Sequence, residues 1–164
     1  MSAIEIMVER FTMLSSKSFD DTLSKLQAAV GHPDMSAFSR DLASAKDEAA
    51  LENIVNKAVG PTGLMQFHLF NLGDVLQKEL GPQARKSVRL LIGNPHIMKE
   101  MVKHVPDAGS YAPVTILVDE RVDGVHLTYD TMTSYLKPYG NPAALKVARD
   151  LDTKVQALLA TAAH

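Results

Sequence analysis

The stretch from Val88 to Asp130 constrains the fold most. An apolar run, VRLLI, stops at Gly93-Asn94-Pro95, a helix-like segment follows, and two β-rich runs are then joined through Asp123-Gly124. Asp-Gly between two alternating apolar runs is a hairpin signal. The alternation also sorts the residues. Val114, Ile116 and Val118 share one face of the first strand, and Val125, Leu127 and Tyr129 share one face of the second. These make the core side. The opposite side carries Thr115, Leu117 and Asp119, then His126, Thr128 and Asp130.

The flanking segments read as a mixture of helices and strands. Residues 4–14, IEIMVERFTML, are β-branched and aromatic and suggest a first strand. Ser18 is a good N-cap for a helix over 18–30, whose apolar face is Phe19, Leu23, Leu26 and Val30. Residues 34–46 are polar and small and read as a loop with a helical turn, anchored only by Phe38 and Leu42. A second helix is expected over 47–58, with Leu51, Ile54, Val55 and Ala58 buried. LMQFHLFNLGDVLQ suggests a strand over 63–77 that bends near Gly73. Gly81-Pro82 is a turn before the strand SVRLLI. Asn141-Pro142 repeats the start signal of Asn94-Pro95: asparagine caps a free N–H, and proline at the first helical position gives up a donor that lacks a partner anyway. The last helix then presents Ala144, Ala148, Leu151, Val155, Leu158 and Ala162 on one face.

At 164 residues the chain fits a single α+β domain spanning 1–164. A net charge of -2 and the scarcity of aromatic residues argue against a nucleic-acid binder. The absence of cysteine excludes disulfides, thiolate nucleophiles and iron–sulfur clusters. No secretory run and no uninterrupted apolar stretch of membrane length is present, so no membrane partner and a cytoplasmic address are expected.

Each chemical motif competes with a plainer reading. Gly93-Asn94-Pro95 has one glycine and lacks the lysine and hydroxyl of a P-loop, so it reads as a capped strand-to-helix turn. His96, Glu100 and His104 lie along one helix, but the two histidines are two turns apart, and with Lys99 and Lys103 nearby they read as a solvated face. His126 and Asp130 are about 13 Å apart along one strand, too far for a catalytic hydrogen bond. Met98, Met101 and Met132 suit packing better than metal ligation. No catalytic residue, metal or cofactor is therefore assigned. Tyr111, Tyr129, Tyr135 and Tyr139 cluster about the hairpin and read as core edges or the lining of a pocket or interface. If neighbouring strands pair as the pattern suggests, His68 and Arg89 join Asp119 and His126 on the outer sheet face. The four would then form a groove for a small anionic ligand.

The run from Leu91 through Asp130 resembles the family known as domain of unknown function 302. The resemblance rests on Gly93-Asn94-Pro95, a short helix, the proline-led strand Ala112-Pro113-Val114-Thr115-Ile116-Leu117-Val118, and then Glu120, Gly124 and Tyr129. Upstream, Ser15-Ser16-Lys17-Ser18-Phe19-Asp20-Asp21-Thr22 is similar to the family's serine-rich approach to its first helix, and the alanine-rich C-terminal helix fits too. Ile92 replaces a residue that is often aromatic, and 34–60 is longer than the usual link. The resemblance implies an antiparallel β-sheet with helices packed on one face, commonly as a homodimer, and no settled activity. The expectation is a non-enzymatic homodimeric module that binds a small ligand or another protein. The alternative is an enzyme using His68, His126 or His96 as an acid or base.

Overall fold

The computed structural model describes residues 3–164. Strand β1 (Arg10–Ser15) leads into helices α1 (Phe19–Ala28), α2 (Met35–Ser44) and α3 (Glu48–Ala58). Strand β2 (Met65–Asn71), helix α4 (Leu72–Leu80), strand β3 (Ser87–Gly93) and helix α5 (Pro95–Val102) follow. The hairpin of β4 (Val114–Arg121) and β5 (Gly124–Asp130) precedes helices α6 (Met132–Leu136) and α7 (Pro142–Ala163). The five strands form one antiparallel sheet in the order β1-β5-β4-β3-β2. The fold is α+β, as the sequence indicates.

Alternation divides the sheet as expected. Val114, Ile116, Val118, Val125, Leu127 and Tyr129 are all buried, together with Val88, Leu90 and Ile92 of β3. They pack against Phe19 and Leu26 of α1, Met101 of α5, and the Ala144, Ala148, Leu151, Val155, Leu158 and Ala162 face of α7. Burial of side chains this size contributes roughly 1.5–3 kcal/mol each, and this continuous layer is the main source of stability. A smaller cluster of Phe38, Val55, Ala58 and Met65 sits under α2 and α3.

The caps fall where the sequence places them. Ser18 Oγ accepts from the Asp21 N–H at 3.1 Å, Asn94 Oδ1 from His96 N–H at 2.8 Å, and Asn141 Oδ1 from Ala144 N–H at 3.0 Å. Asn94 also donates to the Gly63 carbonyl at 2.9 Å, so its amide is committed at both ends.

Four elements differ from the sequence expectation. Strand β1 starts at Arg10, not at residue 4, because its partner β5 ends at Asp130, opposite Arg10, and the chain then turns into α6. One further backbone bond, Thr131 N–H to Glu9 O at 2.9 Å, follows the ladder. Residues 35–44 form a full helix: Asp34 caps it through Ala37 N–H at 2.7 Å, and Phe38 is buried beneath it. The strand expected through residue 77 ends at Asn71, whose side chain accepts from Asp74 N–H at 3.2 Å and starts α4. Helix α6 has no cap of its own. The Asp152 carboxylate of α7 supplies one, accepting from Met132 N–H at 2.8 Å and Thr133 N–H at 3.0 Å.

The chain closes on itself where α1 and α3 end. The Gly31 and Gly60 N–H groups both donate to the Leu64 carbonyl at 2.9 Å. A Cβ on Gly31 would lie 1.9 Å from the Ala58 oxygen, and one on Gly60 2.4 Å from the Val30 carbonyl carbon. Only residues without side chains fit this crossing.

A candidate ligand-binding concavity on the outer sheet face

Strand register fixes what shares the outer face. Thr12 opposes Thr128, Thr128 opposes Leu117, Leu117 opposes Arg89, and Arg89 opposes Phe70. Asp119 opposes His126, and Leu91 opposes His68. Directly opposed residues point to the same side. His68, Arg89, Asp119 and His126 therefore all belong to the outer face. They do not converge. His68 and His126 are separated by three strand spacings, about 14 Å, and by four residue positions along the strands as well.

Each of the four has its own surroundings. The His126 Nε2 meets Asp123 Oδ1 at 2.9 Å, and this contact lowers the Asp123 pKa below the usual carboxylate range. The His126 Nδ1 is buried without a partner. Asp119 accepts two hydrogen bonds from Arg121, at 2.7 and 3.2 Å, which hold that guanidinium protonated. The His68 ring packs on Phe70 with centroids 4.2 Å apart, and Arg89 lies over the same Phe70 ring at 5.5 Å. Among the described residues Arg89 has no carboxylate partner.

A concavity of about 740 Å³ occupies the middle of this face. Of the four residues expected from sequence, only Arg89 lines it. The others are replaced by Arg10, Arg121, Asp130, Thr115, Thr128 and two tyrosines. Arg10 and Asp130 form a two-pronged pair at 2.7 and 2.8 Å, which lowers the Asp130 pKa and raises that of Arg10. Thr128 is buried on the floor, with no partner for its hydroxyl.

One wall is aromatic. The Tyr111 and Tyr135 rings stack with centroids 4.6 Å apart and planes 9° apart. Tyr111 is tied to Tyr139, hydroxyl to hydroxyl, at 3.2 Å, and the Tyr135 hydroxyl donates towards Asp130 at 3.5 Å. Burial, with the Asp130 charge next, raises the Tyr135 pKa. Tyr129 is different in kind. It is fully buried on the inner face and donates to Asp152 at 2.6 Å; burial, then the Asp152 charge, pushes its pKa far upward.

The remaining sequence candidates lie elsewhere. Among the described residues no group of three or more His, Asp or Glu side chains is arranged to hold a metal ion. The stripe expected on one helix is divided: the His96 Nε2 is buried without a partner in the first turn of α5, while His104 lies exposed in the turn beyond the end of that helix. Glu100 instead pairs with Lys103. No helix among the described residues is long and apolar enough to cross a membrane.

Residues 40–162 match the family described as domain of unknown function DUF302. The fold is similar to the crystal structure of an uncharacterised conserved DUF302 protein from Bacillus stearothermophilus. That match has a TM-score of 0.66 at 15% identity and covers 93% of this chain and 97% of the other. None of the curated proteins matches the chain.

Proposed function

The chain belongs to the DUF302 family, and we propose that it works as a binding module whose outer sheet face takes a small anion at Arg89. One observation carries this reading. The concavity is lined by three arginines and one aspartate, and Arg89 is the arginine without a carboxylate partner among the described residues. A guanidinium in a partly apolar recess recognises a carboxylate or phosphate through its fork of N–H donors.

The arrangement around the histidines supports binding over catalysis. An acid–base mechanism needs a histidine within hydrogen-bond reach of the reacting atom and a further group to orient it. His68 rests on Phe70, and His126 pairs with Asp123 beyond the rim of the concavity. A histidine-dependent enzyme is the weaker reading on this geometry.

The proposal includes a homodimer. Strands β1 and β2 are both sheet edges, and unpaired edges invite a second chain. Beside β2, the side chains of Phe70, Leu72, Val75, Leu76 and Leu80 are exposed, Val75 by 71%. An apolar strip of this kind on the surface fits an interface with a second copy. The absence of cysteine suits a cytoplasmic address.

Two measurements test the reading. Titration with acetate or inorganic phosphate, followed by nuclear magnetic resonance, should shift Arg89 and its neighbours Leu117 and Phe70; silence at all three would remove the anion site. Sedimentation at micromolar concentration should show a species of twice the 17.8 kDa chain mass. A monomer alone would remove the dimer.

A further inference from the structure

Resting on the reading that Arg89 takes the anion, we infer the class of molecule that carries it: a flat apolar ring bearing a single carboxylate or phosphate. A bare anion would use only part of the concavity. Beside Arg89 the floor is Leu91 and Leu117, and the far wall is the stacked pair Tyr111 and Tyr135. Arg89 and Thr115 are one strand and two residues apart, about 8 Å between Cα atoms. The floor between these two residues is thus long enough to lie under an aromatic ring, beside the guanidinium and the tyrosines that line the same concavity.

The tyrosine wall is built to hold its shape. Tyr111 is fixed through Tyr139, and Tyr135 leans towards an aspartate that Arg10 already holds. A rigid aromatic pair offers a ring a stacking surface with little ordering cost. Arg10 and Arg121 each already hold a carboxylate at two points, so Arg89 is the lining cation whose charge is unmet among the described residues. Thr128 adds a polar patch to the floor, with a hydroxyl that has no protein partner. The lining thus has one available cation, one aromatic wall and aliphatic ground between them. A ligand that matches all three joins a ring to one negative group.

The test compares five probes on the full chain by amide and tyrosine-ring resonance shifts: benzoate, phenyl phosphate, acetate, inorganic phosphate and neutral benzyl alcohol. Benzoate or phenyl phosphate should bind at least tenfold tighter than acetate or inorganic phosphate, and should move the Tyr111 and Tyr135 ring protons as well as Arg89. A preference for benzoate names a carboxylate ligand, a preference for phenyl phosphate names a phosphate, and either upholds the inference. The R89M variant should reduce benzoate to the level of benzyl alcohol, and Y111L should remove the advantage of benzoate over acetate. Arg89 is exposed, so R89M keeps the fold and remains informative if Y111L does not. If acetate and phosphate shift Arg89 but the ring-bearing anions bind no tighter, the ring inference falls and the anion site stands. If benzyl alcohol binds as tightly as benzoate, the ring inference falls because the charge adds nothing; if no anion shifts Arg89, the anion site falls with it.

Discussion

The two faces of the sheet are made by the same strands and do opposite work. On the inner side Ile116, Val118, Leu127 and Tyr129 are closed over by α1, α5 and α7, and the buried carboxylate of Asp152 is satisfied by three donors. On the outer side Leu117 and Leu91 are only half-buried, Arg89 has no acidic partner among the described residues, and the Thr128 hydroxyl is unmet. The inner side is closed over by helices, whereas the outer side keeps an unpaired cation and an unmet hydroxyl in an open recess. The surplus is where a ligand can be recognised.

Removing a buried acceptor should break this contrast most severely. D152A takes the acceptor from the Tyr129 hydroxyl and the Thr133 N–H and leaves the Met132 N–H only the Tyr129 oxygen at 3.2 Å, and should cost about 3–5 kcal/mol in urea unfolding. L127A should cost about 2–5 kcal/mol, whereas L117A on the other side should cost roughly 1 kcal/mol or less because its side chain is only half-buried. Equal costs for the two leucines would mean that the outer face is packed too.

Tyr129 links the inner face to pH. Its pKa in the fold is far above the ordinary value near 10. A group raised in this way contributes stability that is fully present below that ordinary value and is lost as the pH rises above it. Unfolding followed above pH 10 should therefore show a steady loss, about 1.4 kcal/mol for each unit passed, and Y129F should flatten that part of the slope.

The smallest effect belongs to the outer rim. Arg10 is 64% exposed at its side chain, so solvent discounts its pair with Asp130 to about 0–1 kcal/mol. The Asp130 pKa is depressed, so this contribution is present above the ordinary carboxylate value and lost as the pH falls through the lowered one. R10Q should therefore flatten the acid limb slightly and leave neutral stability almost unchanged. A larger loss would show that the pair also supports the tyrosine wall through Tyr135.

Much of the inner face was legible in the residues because period-two alternation is a local property. Val114 to Val118 and Val125 to Tyr129 needed no partner to be assigned, and neither did the asparagine caps. Helix α2 was also within reach, since Asp34, Phe38 and Leu42 mark a capped helix at four-residue intervals, but its small polar residues concealed it. Helix α6 was not. Its cap comes from Asp152 on another helix, and no window around Met132 contains that information. The outer face was half legible. Alternation puts Arg89, Asp119 and His126 on the correct side. Which residues actually gather at the concavity depends on strand register and on Tyr111 and Tyr135, which lie outside the strands altogether.

The crossing of Gly31 and Gly60 has a consequence for how this chain could be rebuilt. The polypeptide leaves the main body at Gly31 and returns to it at Gly60, where the two backbones touch. The two helices between them form an excursion whose ends are already neighbours, so a few residues could bridge the gap that 32–59 now spans. A variant shortened in this way would keep all five strands and α7, and would uncover Phe67 and Met65, on which the smaller cluster rests. Architecturally, the segment is a cassette whose two ends meet at one crossing and whose helices rest on β2 and, through Glu48 and Lys99, on α5.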